Sequence, residues 1–162
     1  MSSQPIATLG SQDVKILDLL QQDASLTTAQ IAERLNMSQS PCWRKINKLE
    51  QDKLVQKRIA ILNREKLGMD VVVFATINLS TQGRQYLEDF EAEVKLLPEV
   101  IECYTMAGSW DYMLKIVARD IRSYELFVRE HLTNLPHIGE VHSHIAVTEI
   151  KNTTELPLRS QL

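Results

Sequence analysis

The stretch from Leu26 to Gln51 leaves the chain little choice. It starts one short helix, breaks it, and starts a second almost at once. Thr27 with Gln30 three residues on is a capping box, and Leu26 before the cap can staple onto Ile31, so a helix is predicted from Thr28 to about Leu35. Asn36 and Met37 form the break. Ser38 then caps a further helix, in whose first turn Pro41 is tolerated because the N–H it lacks would have no helical partner there. Ahead of this pair, Ser11 to Gln22 carries Val14, Leu17 and Leu20 at three-residue spacing beside Ile16 and Leu19, with Ser11 as N-cap and Asp13 in the first turn. Two short helices joined by so tight a turn, with a third to pack on, read as a helix-turn-helix.

Turning the last of these helices at 100° per residue separates two faces. Cys42, Ile46 and Leu49 fall together and pack inward, with Cys42 as a packing residue and a thiol sensor as the alternative. Ser40, Arg44, Asn47, Lys48 and Gln51 lie opposite. Arg can grip guanine, Asn or Gln can read adenine, and Lys and Ser can anchor phosphates from a helix that fits the major groove. Trp43 stands on the shoulder between the faces. It is expected to pack on the corner of the first two helices, with base or sugar contact as the alternative.

Charge supports the nucleic-acid reading over a merely solvated helix. The 162 residues carry a net charge of -3, yet residues 1 to 62 hold eight Lys or Arg against six Asp or Glu, and the remainder ten against fifteen. From Ser40 to Arg58, Arg44, Lys45, Lys48, Lys53, Lys57 and Arg58 face only Glu50 and Asp52, a local +4. Such a compact basic patch is the usual footprint of phosphate binding.

Other classes fall away. The longest apolar run is Val71 to Ala75, far short of the roughly 20 residues that span a bilayer, so no membrane association is expected. Met1 to Gly10 has no Lys or Arg and no apolar h-region, and reads as a flexible tail instead of a secretory signal. The expected location is the cytoplasm, on the nucleoid. Cys42 and Cys103 lack CxxC spacing, which predicts two reduced, partly buried thiols and neither a disulfide framework nor a zinc site. His142 and His144 alternate by two and share one side of a strand, but no third metal ligand is evident, so a solvated or interface pair is expected. No cofactor is implied.

Beyond Leu54 the pattern changes. "LVQKRIAIL" and "NREKLGM" read as a linker strand and turn, with Gly68 as punctuation. Val71 to Ser80 is β-branched and strand-like; a helix follows on Leu87, Phe90, Val94 and Leu97, ended by Pro98. "VIECYTM" and "DYMLKIVA" are strands joined by the hairpin "AGSWD". A second helical stripe, Tyr124, Phe127, Val128, Leu132 and Leu135, stops at Pro136 before a last strand, "VHSHIAVTEI". Both helices end in Leu-Pro and feed a strand, a weak internal duplication. The order βαββαβ with that symmetry is the ferredoxin-like plan, two helices on one face of a four-stranded antiparallel sheet. The first strand is apolar on both faces, so self-association through the uncovered face is expected.

The chain is therefore read as α+β: a tail over residues 1–10, a helix-turn-helix (winged-helix-like) domain over 11–53, a linker strand and turn over 54–67, and a ferredoxin-like domain over 68–162. At this level of detail it resembles the Lrp/AsnC ("feast/famine") transcriptional regulators along nearly all its length. The motifs that carry the resemblance are "LTTAQIAERLNMSQSPCWRKINKLEQDKLV", "MAGSWDYML", "LPEV" and "IKNTTELPL". The resemblance implies a DNA-binding helix-turn-helix and an effector domain that dimerises and often assembles further, commonly into octamers. It also implies a small effector, typically an amino acid, bound between dimers near the hairpin. By position, Ser38, Gln39, Ser40, Trp43, Arg44 and Lys48, with Asn47 from the helix face, would meet double-stranded DNA. The effector loop would be Met106, Ala107, Gly108, Ser109, Trp110, Asp111 and Tyr112. One departure is visible: where the family usually has Gly after the recognition helix, this chain has Lys53, leaving a left-handed turn there without its usual residue.

The hairpin admits two compatible readings. Gly108 and Ser109 can simply make a tight turn, or exposed amides can take an α-carboxylate while Asp111 takes the α-ammonium. Trp110 could wall such a pocket or make an oligomer contact. The expected function is thus a sequence-specific transcriptional regulator modulated by a small effector, and not an enzyme. The alternative is a ferredoxin-like small-molecule-binding protein or enzyme with an ancillary helical domain, against which stand the missing Gly-rich phosphate loop, nucleophile elbow and metal cluster.

Overall fold

The computed structural model describes residues 9–81 and 83–158. Most of the tail expected at 1–10 lies outside them. The chain forms two compact units, residues 1–61 with 151–162, and residues 62–150. The sequence pattern places everything from residue 68 in one domain, whereas the described residues from Lys151 on cluster with the helical unit.

In the helical unit, α1 (Ser11–Gln22), α2 (Thr28–Arg34) and α3 (Gln39–Gln51) enclose Ile16, Leu20, Leu26, Ile31, Ala32, Cys42, Ile46 and Leu49. Each large side chain so buried contributes about 1.5–3 kcal/mol relative to exposure. The capping box of α2 forms as predicted: Thr27 N–H donates to Gln30 Oε1 at 2.8 Å, and Gln30 N–H donates to Thr27 Oγ1 at 3.3 Å. Two other caps differ. Gly10, not Ser11, is the N-cap of α1, and its N–H is taken by the Asp13 carboxylate at 3.3 Å. Ser38 holds the N-cap position of α3 but its hydroxyl makes no capping bond.

The helix ends explain the tight turns. After α2, Asn36 N–H bonds Glu33 O (3.1 Å) and Met37 N–H bonds Ala32 O (2.9 Å), with Asn36 at φ 51°. After α3, Lys53 N–H bonds Glu50 O (3.1 Å) and Leu54 N–H bonds Leu49 O (3.0 Å), with Lys53 at φ 59°. Both are Schellman closures, in which a left-handed residue lets two later N–H groups reach back to orphan carbonyls. Lys53 therefore adopts the left-handed turn without the glycine that would make it free of strain.

Within the same unit, Gln21 of α1 clamps the C-terminal segment. Its Nε2 donates to Leu156 O at 3.0 Å and its Oε1 accepts Leu156 N–H at 2.8 Å.

The second unit is the expected ferredoxin-like arrangement: β1 (Val71–Leu79), α4 (Arg84–Val94), β2 (Val100–Thr105), β3 (Tyr112–Ala118), α5 (Ile121–Glu130), a 3-10 turn (Leu132–Asn134) and β4 (Ile138–Ile145). The antiparallel sheet runs β2-β3-β1-β4. Val73, Ala75 and Ile77 of β1 and Tyr112, Leu114 and Ile116 of β3 pack on Phe90, Val94, Tyr124 and Phe127 of the helices. Alternation sends Val72, Phe74, Thr76, Met113 and Val117 to the other face.

Two expected strands are revised. The last one, predicted over Val141–Ile150, begins at Ile138 and ends at Ile145. Ala146 N–H makes a final bond to Val72 O, and β1 starts at Val71, so nothing remains to pair with. The linker over 54–67 forms no strand: residues 56–63 run without a ladder partner, exposing Ile59, Ile61 and Leu62, before a turn closed at Gly68 (φ 72°).

Candidate functional site

The outward face of α3 is built by what lies behind it. Cys42 (0% exposed), Ile46 and Leu49 fix the helix on the helical core, as their spacing required. Ser38, Gln39, Ser40, Trp43, Arg44 and Lys48 are exposed, and Asn47 is half-buried. Thr28, Gln39, Ser40, Trp43 and Arg44 line an open recess between the start of α2 and the first turns of α3. Trp43 is not packed into the corner of the first two helices: its side chain is 56% exposed. Thr28, which the sequence did not single out, joins the recess because the capping box fixes the first turn of α2 beside α3.

The structure also sorts the basic patch. Lys45 Nζ is 2.7 Å from Asp13 Oδ1, and Arg58 reaches Glu50 Oε1 (2.9 Å) and Ala24 O (3.2 Å). These two cations hold α1, α3 and the linker together. Among the described residues, Arg44, Lys48, Lys53 and Lys57 make no ion pair, so they remain for an anionic partner.

The hairpin between β2 and β3 is the second candidate. It is wider than a tight turn: Met106 N–H closes onto Asp111 O at 2.8 Å across a loop of bends. Gly108 sits at φ 148° with open space around it, so the glycine serves the backbone angle alone. Among the described residues, the N–H groups of Ala107, Gly108, Ser109 and Trp110 have no acceptor, which leaves a run of unpaired donors in the loop.

Asp111 makes contacts that the sequence did not announce. Its Oδ2 accepts Leu79 N–H at 2.8 Å, while its own N–H is shared between Ile77 O and Asn78 Oδ1, each 3.0 Å away. The carboxylate thus latches the loop to the end of β1, where the β1–β4 register slips between Asn78 and Leu79. Asn78 had no signal in the sequence, because its role depends on that slip.

Tyr112 does not belong to the loop. It is 1% exposed, stacks on Phe90 with ring centres 4.6 Å apart, and its hydroxyl donates to Glu91 Oε1 at 3.0 Å. Burial, then that carboxylate, push its ionisation far above the ordinary phenol range. Strand alternation, which puts it in line with Leu114 and Ile116, is the reason.

Trp110 lies against His142, ring centres 4.6 Å apart. His142 and His144 do share a side, opposite Thr76 and Phe74, and both are exposed. No group of three metal-ligating side chains occurs among the described residues. Cys42 is buried and Cys103 exposed, so the expectation of two partly buried thiols holds for neither.

Comparison with known proteins agrees with this geometry on both halves. Residues 11–56 match a winged helix-turn-helix DNA-binding family, and residues 72–156 match the Lrp/AsnC ligand binding domain. The chain belongs to the Lrp/AsnC family of transcriptional regulators. A glutamate uptake regulatory protein of Zymomonas mobilis is 36% identical over 153 residues, 94% of this chain and 93% of that protein. Among solved structures, a transcriptional regulator from Neisseria meningitidis, in complex with L-Met, superposes with a TM-score of 0.92 at 33% identity, covering 96% of this chain and all of that one. An AsnC family regulator from Agrobacterium tumefaciens superposes with a TM-score of 0.90 at 38% identity, covering 95% and 100%. Like its Lrp/AsnC relatives, the chain is a DNA-binding transcriptional regulator with a ligand-binding domain, and the family is one of regulators, not enzymes. No helix among the described residues is long and apolar enough to cross a membrane.

Proposed function

We propose that this regulator docks α3 in the major groove through Ser38, Gln39, Ser40, Trp43, Arg44, Asn47 and Lys48. We propose further that an amino acid at the 106–111 loop controls how its copies associate on DNA. The observation that carries the first part is the division of the cations: Lys45 and Arg58 are paired inside the unit, while Arg44 and Lys48 stay exposed on one helix face. The second part is supported by the free N–H groups of residues 107–110 and by the L-Met carried by the Neisseria meningitidis relative. An α-carboxylate suits those donors, and Asp111 Oδ1 is left for an ammonium group. Aliphatic and sulfur amino acids are the first to try. Tyr112, sealed in the core, takes no part.

Self-association follows from the sheet. Phe74, Met113 and Val117 stay partly exposed around the Lys115–Glu102 ion pair on the sheet face that the helices of the unit leave uncovered, and Thr76 Oγ1 is buried there without a hydrogen bond. A second copy is the natural cover, with dimers assembling further, to octamers, at effector-sensitive contacts. A regulator of this kind works on the nucleoid, in the cytoplasm.

Salt tests the docking. Affinity for DNA should fall linearly on a log-log plot against salt, and Lys48→Ala should lower the slope by about 0.9, the share of a single phosphate. Binding that ignores salt would refute groove docking. For the effector, a thermal-shift screen of the twenty amino acids should give a few hits, since ligand at about 100 times its dissociation constant adds roughly 2.7 kcal/mol. A flat screen would refute the amino-acid assignment.

A further inference from the structure

Trp43 is the one large apolar group on the DNA-facing side of α3, and it is left bare. More than half of the indole is in water, and among the described residues it has no ring partner and its Nε1–H no acceptor. Exposing an indole forfeits the burial that usually positions one, so its place on this face calls for a partner. Two features say what that partner is. The free cations Arg44 and Lys48 stand on the same helix, which selects a polyanion. And Trp43 is the middle of three residues at four-residue spacing, Gln39, Trp43 and Asn47, flanked on both sides by amides, with Thr28 of α2 at its edge.

We infer that Trp43 reads thymine: its ring packs on a thymine C5-methyl in the major groove, between positions whose bases are met by Gln39 and Asn47. The inference rests on the docking of α3 proposed above. In that groove the thymine methyl is the only apolar group any base pair presents, while Gln and Asn side chains match the N6 and N7 of adenine. The row spans about 12 Å along the helix at 1.5 Å per residue, enough to pass three or four base pairs. An amide, indole, amide row therefore specifies an A·T-rich half-site with one obligatory thymine, a preference that Arg44 and Lys48 cannot supply.

The full-length protein would first select duplexes from a random library, and each selected thymine would then be replaced singly by deoxyuridine, which removes only the methyl group. The expected result is one position per half-site at which deoxyuridine weakens binding about fourfold, the change for removing one buried methyl-sized group. In Trp43→Ala that position should become indifferent both to deoxyuridine and to the base present. A protein that selects DNA but is insensitive to deoxyuridine everywhere would overturn the inference and leave groove docking intact, placing the ring on sugar or backbone. Sensitivity that persists in Trp43→Ala would assign the methyl to another residue and overturn it equally. Failure to select any duplex would refute the docking itself.

Discussion

Replacing Lys53 by glycine should make this protein more stable and a poorer DNA binder at the same time. Lys53 closes α3 at φ 59°, with Lys53 N–H on Glu50 O and Leu54 N–H on Leu49 O. A side chain in that left-handed conformation costs roughly 1–2 kcal/mol. Glycine removes the strain but adds about 0.5–1 kcal/mol of unfolded-chain entropy. The net gain is about 0.5–1 kcal/mol, which for a chain of this size raises the melting midpoint by about 1–4 °C. The two tryptophans make the assay local, since Trp43 lies in the helical unit and Trp110 in the sheet unit. In a Trp110→Phe background, the urea midpoint followed by Trp43 fluorescence should rise with an unchanged m-value. Asn36→Gly, at φ 51° in the matching closure of α2, should gain less, because asparagine tolerates the left-handed region. Removing the cation, which is exposed and without an ion pair, should reduce the salt slope of DNA binding. A lower urea midpoint in Lys53→Gly would refute the account of the α3 terminus, since it would mean the lysine side chain contributes more than its backbone strain costs.

Three further outcomes follow from particular contacts. Asp111→Ala should lose the latch on Leu79 N–H and destabilise the sheet unit by about 1 kcal/mol, whereas Asp111→Asn keeps an acceptor there, so amino-acid response lost in Asp111→Asn at normal stability would isolate the charge as the group that meets the ligand. Thr76→Val should stabilise an isolated protomer, whose buried hydroxyl has no partner, and analytical ultracentrifugation should show tighter self-association unless the partner copy itself satisfies that hydroxyl. Asp120 caps α5 by accepting Ser123 N–H at 2.6 Å, a bond that holds its carboxyl below the ordinary range; with the folded value lower than the unfolded one, its contribution is full above about pH 4 and is lost as the pH falls, so Asp120→Asn should show a shallower drop in melting temperature between about pH 5 and pH 3.

What the sequence makes legible is set by the range of the interactions involved. The capping box at Thr27, the inward face of α3 and the alternation of β1 each depend on neighbours within a turn or a strand, and each forms as its spacing requires. Expectation and structure part where a partner far along the chain decides. Periodicity puts Trp43 on a shoulder, but whether a shoulder is covered depends on α2, and there the indole stays exposed. The last strand stops short of the end of its apolar pattern because an antiparallel strand runs out where its neighbour begins, with Ala146 bonded to Val72 one residue from the start of β1, and no local residue marks that. Asp111 and Tyr112 look like one loop motif, yet the sheet sends one to latch Leu79 and the other into the core, and a single step of alternation separates their roles. The clamp of Gln21 on Leu156 is the extreme case, two hydrogen bonds across a sequence separation of 135 that no local pattern announces. Its consequence is mechanical: the helical unit is joined to the rest of the chain both through the linker and through the residues after β4, and Arg58 and Gln21 pin those two connections to it. Arg58→Ala and Gln21→Ala should therefore each lower the urea midpoint followed by Trp43, and the double variant should lower it by about the sum of the two, since the two pins share no partner; a double variant no less stable than wild type would refute the pinning.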